Sequence, residues 1–234
     1  DEFEGARQNA LDNTRSDSFL IEEFIEGEEF GAQAFVKDGE IQFILPHGDY
    51  VFKGDTGVPI GQFAPYSLPQ EAIDDTKVQL EGAIKAMGLD NCAVNADFIL
   101  RDNKCYVLEL GGRSGATCLV ELTSIYYGFD YYKKIIQVAM GEDVDFASDF
   151  AVPNASMLLM SDVTGTIKSQ TDSNQPNDNL VEVQFDLKPG DHVSKFRIGP
   201  HRIGHVITKG DTLDQAVDAL NKALENITID VEPD

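Results

Sequence analysis

The chain has 234 residues, 42% of them apolar and 25% charged, which fits one large globular domain or two small ones. Its 41 acidic residues against 18 basic ones leave a formal charge of −23 with no Lys/Arg cluster, so phosphate backbones and anionic membrane surfaces are poor partners. An acidic chain of this kind that handles a nucleotide is expected to do so through a divalent metal.

No run approaches the roughly 18 consecutive apolar residues of a membrane span, and the start, Asp1-Glu2-Phe3-Glu4, is the opposite of a basic secretory leader. The expected localisation is cytoplasmic. Cys92, Cys105 and Cys118 are widely spaced and lack a nearby histidine at ligand spacing, so reduced, mostly buried thiols are expected.

In chain order, Glu2 to Asn13 reads as a helix with no cap before it, which hints at a fragment. Ser18 to Gly27 reads as an apolar strand ending in an acidic turn. Phe30–Val36 and Ile41–Leu45 are strands joined around Asp38-Gly39, a strong hairpin signal. From His47 to Pro65 the Gly, Pro and Asp content predicts a long loop. Ser67-Leu68-Pro69-Gln70 has the pattern of a capping box, and apolar residues at helical spacing continue to the stop at Gly88.

Val94–Leu100 and Cys105–Leu110 are strands around an expected three-residue turn, Asp102 to Lys104. That turn would place Asp97 opposite Glu109 on one face. Paired carboxylates repel, and a hard divalent cation such as Mg²⁺ relieves the repulsion; a one-residue slip would instead put them on opposite faces. Gly111-Gly112-Arg113-Ser114-Gly115 then leads into a helix broken at Gly128, and Asp130 caps the next, which ends at Gly141. Arg113 beside metal-bound carboxylates would suit phosphate or carboxylate oxygens.

Beyond Asp149 the pattern gives a strand over Ala155–Met160, a polar turn-rich insert over Ser169–Asn179, strands over Val181–Leu187 and Arg202–Thr208, and a final helix from Thr212 to about Leu224. Strands and helices mix without regular alternation, so the expected fold class is α+β.

The run Phe19-Leu20-Ile21-Glu22-Glu23-Phe24-Ile25-Glu26-Gly27-Glu28-Glu29-Phe30, with Asp97 and Glu109-Leu110-Gly111-Gly112-Arg113 on successive strands, resembles the carboxyl-terminal part of the ATP-grasp superfamily. That group holds carboxylate–amine ligases, biotin carboxylases and carbamoyl-phosphate synthetase large subunits. The resemblance covers about residues 18–141 and, more loosely, 197–226, where Arg202 to Thr212 is similar to the closing segment of the carboxylase-like and carbamoyl-phosphate-type members.

The resemblance implies an antiparallel sheet flanked by helices over 1–149 and a smaller mixed closing subdomain over 150–234. It implies that Glu22, the carbonyl of Glu23 and the amide of Ile25 read adenine and that Glu29 binds the ribose. Asp97 and Glu109 would hold Mg²⁺ on the ATP phosphates, and Arg113 would serve an acyl-phosphate step. Gly111 departs from the metal-binding asparagine of many members, and Asn95 is a candidate to supply an oxygen instead. The implied activity joins a small-molecule carboxylate to an amine; bicarbonate phosphorylation or a non-catalytic interaction module are the alternatives. Because no lysine-bearing lobe precedes Asp1, the chain is expected to be a fragment, inactive without the amino-terminal half of its ATP-grasp domain.

Overall fold

The computed structural model describes residues 2–16, 18–54 and 56–234. Asp1, which opens the expected acidic start, and Asp55, within the expected long loop, lie outside the described residues, as does Asp17. The chain runs α1 (Glu2–Asn13), β1 (Glu28–Lys37), β2 (Glu40–Val51), β3 (Pro59–Ala64), α2 (Gln70–Met87), β4 (Cys92–Arg101), β5 (Lys104–Gly111), α3 (Leu119–Tyr127) and α4 (Tyr131–Ala139). It continues through β6 (Asn154–Leu159), β7 (Gly165–Asp172), β8 (Leu180–Phe185), β9 (His192–Val193), a single 3-10 turn (Gly199–His201), β10 (Gly204–Lys209), α5 (Leu213–Glu225) and β11 (Ile227–Pro233).

An eight-stranded sheet in the order β5-β4-β1-β2-β3-β6-β10-β8 carries the molecule, and β11-β7-β9 form a second, three-stranded sheet. Every pairing is antiparallel. The fold is α+β, a large antiparallel sheet flanked by helices.

Alternation along β1 and β4 separates the two faces of the large sheet. Phe30, Ala32 and Ala34 of β1 pack with Val94, Ala96 and Phe98 of β4 under Ala72, Leu80 and Ile84 of α2. On the opposite face Phe35, Phe43 and Ala93 meet Val120 of α3 and Tyr131 and Val138 of α4. The Tyr131 hydroxyl donates to the Ala34 carbonyl at 3.1 Å, so its polar end is satisfied in the core. At the far side of the molecule Ala155, Val206, Leu220 and Ala223 build a third core, against which Ile227, Ile229 and Val231 of β11 pack.

Several local expectations need correction. Ser18–Gly27 forms no strand: β1 is flanked on both sides by β2 and β4, so no edge of that strand remains to pair with it. Leu20, Ile21 and Phe24 consequently stand 83%, 69% and 85% exposed. The long loop shrinks, because β2 continues through His47 to Val51 and β3 follows at Pro59. Ser67 does not cap α2; Pro69 occupies the cap position with no side-chain hydrogen bond, while Gly88 ends the helix in the left-handed region, φ 65°, as expected. Part of the polar insert is strand β7, held by β11, which the sequence pattern did not reveal. The caps at Asp130 and Thr212 form, accepting from the amides of Lys133 and Gln215.

Leu80 is fully buried between α2 and the sheet, whereas Val78 on the same helix is 62% exposed. Leu80→Ala is expected to cost about 2–5 kcal/mol in urea unfolding and Val78→Ala less than about 0.5 kcal/mol; equal losses would contradict this packing.

Candidate functional site

The β4–β5 hairpin decides where the acidic side chains go. Its turn has two residues, Asp102 and Asn103, both left-handed with φ 53° and 60°. From that turn Leu100 faces Cys105 and Phe98 faces Val107, a register that would turn Glu109 toward α2. A β-bulge between Asp97 and Phe98 leaves Leu108 as the extra residue, and beyond it Asp97 pairs with Glu109. The expected opposition of the two carboxylates is therefore present, with the additional residue in the strand and not in the turn.

The same face continues across the sheet. Asp97 pairs with Gly31 of β1, and Gly31 with His47 of β2. A Cβ at Gly31 would lie 2.2 Å from the His47 Cε1, so the missing side chain is what lets the imidazole lie over the strand. Two residues along, the buried Gln33 amide donates to Asn95 Oδ1 at 2.5 Å and lies 3.3 Å from His47 Nε2. Its carbonyl oxygen accepts the Gly115 amide at 2.8 Å, which ties the glycine-rich loop to the sheet. Asn95 pairs with Gly111 across β4 and β5, and its side-chain oxygen accepts one bond, from Gln33.

Glu29, Asp49, Asp97 and Glu109 line one cleft, with Leu108, Val51 and Pro59 on its walls. Arg113, exposed on the loop, donates to the Ser114 carbonyl at 2.9 Å and lies near enough to act on the charge of Asp97. Ile25 lines a different cleft with Asp75, Gln79 and Tyr106, and Glu22 and Glu23 are exposed. The structure thus gathers Glu29, Asp97, Glu109 and Arg113, and it leaves Glu22, Glu23 and Ile25 apart from them. Asp49 and Gln33 were not singled out as site residues; the bulge between Phe35 and Val36 moves His47 from opposite Phe30, where the turn register alone would put it, to opposite Gly31.

Burial pushes the Asp97 carboxyl above the usual carboxylate range, reinforced by the charges of Asp49 and Glu109 and opposed by His47 and Arg113. A half-buried carboxylate repelled by two others is a donor set that fits a divalent cation. Among the described residues no three His, Cys, Asp or Glu side chains are gathered to hold a metal. A cation on Asp97 and Glu109 would therefore complete its shell with oxygens from outside the chain, as Mg²⁺ does with phosphates and water.

The ATP-grasp domain family matches residues 2–121, and the family of the L-amino acid ligase C-terminal domain 2 matches 157–232. The chain belongs to the ATP-grasp family. It is 36% identical over 127 residues to a phosphoribosylamine–glycine ligase of Streptococcus pneumoniae, covering 48% of this chain and 30% of that protein. The crystal structure of a phosphoribosylglycinamide synthetase from Anaerococcus prevotii matches 99% of this chain and 61% of its own at TM-score 0.85 and 38% identity. An L-amino acid ligase from Bacillus licheniformis shares the fold, with TM-score 0.74 and 15% identity over 89% of this chain and 53% of its own. The chain thus spans less than two thirds of these relatives.

The raised Asp97 pKa has a stability consequence. The folded state holds the proton over a pH window above the unfolded value of about 3.9, so stability is lost as pH rises through that window. Asp97→Asn is expected to melt higher than the parent at neutral pH without divalent ions, by roughly 2–4 °C per kcal/mol relieved. The advantage should shrink on acidification and vanish below about pH 3.5, where both states of the parent are protonated. An unchanged or lower melting temperature at neutral pH would contradict the repulsion.

Proposed function

We propose that this chain supplies the metal- and phosphate-binding face of an ATP-dependent ligase that phosphorylates a small carboxylate and transfers the acyl group to an amine. The observation that carries this reading is the pairing of Asp97 with Glu109 on one face, beside the loop bearing Arg113, in a chain of the ATP-grasp family. The names of the relatives, a phosphoribosylamine–glycine ligase and an L-amino acid ligase, support an amine and an amino acid or similar carboxylate as the substrate class.

In this reading Asp97 and Glu109 hold Mg²⁺, which supplies neutralisation of the phosphate charge. Arg113 engages the Ser114 carbonyl through Nη1 and keeps further guanidinium donors, which stabilise charge that develops as the carboxylate attacks the γ-phosphate and ADP departs. Glu29 stands at the edge of the same cleft, suited to ribose hydroxyls. Glu22, Glu23 and Ile25 contribute adenine contacts once the exposed 18–27 segment is covered. The lysines and glycine-rich loop of an ATP-grasp clamp come from an amino-terminal half, in the same polypeptide or a separate one. Residues 1–149 then act as the catalytic part and 150–234 as the closing part.

Replacing one preorganised electrostatic contact in a transition state costs about 10²–10³ in rate. Glu109→Gln in the full-length protein is therefore expected to lower ATP-dependent ADP formation by about that factor while the chain remains folded. Unchanged ADP release would overturn the assignment.

A further inference from the structure

The geometry points to Asp49, oriented by His47, as the subsite that binds the ammonium group of the amine co-substrate, an inference that rests on the ligase reading above. His47 is 1% exposed and Gln33 fully buried, so their polar atoms must find partners within the protein. The Gly115 amide donates to Gln33 Oε1, which fixes that side chain with its nitrogen toward His47 Nε2 and Asn95 Oδ1. With the Gln33 amide nitrogen facing His47 Nε2, the ring presents Nδ1 on its opposite side, toward Asp49.

That Nδ1 lies 3.3 Å from Asp49 Oδ1, yet both atoms are buried without an aligned hydrogen bond. The imidazole thus stands against one oxygen of a carboxylate whose side chain remains 26% accessible in the acidic cleft. That contact occupies the Oδ1 side and leaves the other oxygen for a ligand.

The ligand class follows from charge and coordination. Asp49 does not join Asp97 and Glu109 around a single ion, since no three such groups are gathered among the described residues. Yet it lines the same cleft as Asp97 and Glu109, so it belongs to the same reaction space. A cationic N–H donor satisfies one carboxylate oxygen with a short charge-assisted bond and needs no further ligands from the protein. The attacking amine of the ligation also has to stand beside the phosphorylated carboxylate, and an ammonium held there becomes a nucleophile by giving up a proton, for which the Asp49 carboxylate is the adjacent acceptor.

The test uses the chain carrying isotope-labelled histidine, with methylammonium chloride as the probe and tetramethylammonium chloride as a cation of equal charge that has no N–H. Methylammonium is expected to give a saturable shift of the His47 ring-nitrogen resonances, and tetramethylammonium none. Asp49→Asn and Asp49→Ala should each weaken the response at least tenfold. No saturable shift, an equal response to tetramethylammonium, or survival of the response in a folded Asp49 variant would overturn the inference. The readout needs no nucleotide, so it can fail while Glu109→Gln still suppresses ADP formation, and the reverse.

Discussion

A single inserted residue governs the chemistry of this sheet. Cys105 and Val107 point into the core beneath α2, and a regular strand would send Glu109 the same way. The bulge at Leu108 reverses the parity, so Leu110 returns to the core side while Glu109 crosses to stand opposite Asp97. Bulges commonly re-aim a side chain beside a functional site, and this one costs a ladder position and leaves Leu108 49% exposed. What the strand loses in regularity it gains as a pair of converging carboxylates.

The two faces of the large sheet are built for different tasks. One is apolar from Phe30 to Phe98 and is closed by α2. The other is apolar only under α3 and α4, and it becomes polar along the row Glu109, Asp97, Gly31 and His47. Gln33 joins the sheet to the loop carrying Arg113, since one amide side chain contacts the Gly115 N–H, Asn95 and His47. Buried polar networks of this sort rigidify a site when their members are satisfied. The clustered carboxylates are unfavourable in isolation, a cost that functional sites accept when a cationic ligand offsets it.

Much of this was legible in the sequence because local chemistry and tertiary demand agree there. Asp38-Gly39 adopts the left-handed turn its residue types favour, Gly88 closes α2, and Asp130 and Thr212 cap their helices. The opposition of Asp97 and Glu109 was also readable, although through a different device: a two-residue turn plus a bulge gives the same pairing there as a three-residue turn. Where the sequence misled, long-range pairing decided. His47–Val51 looks like loop because of its Gly and Asp, but β3 and β1 hold it as strand; Ser18–Gly27 looks like strand but has no edge to join. The roles of Asp49 and Gln33 carry no local signature, since each depends on neighbours from strands or loops far along the chain.

The account stands on one cation shared by two adjacent strands. Crystals of the full-length protein grown with manganese and ADP, examined by anomalous diffraction, test it most directly. The account predicts an anomalous peak within ligand distance of carboxylate oxygens of both Asp97 and Glu109. A peak bound to only one of them, or located away from the β4–β5 bulge, would contradict it.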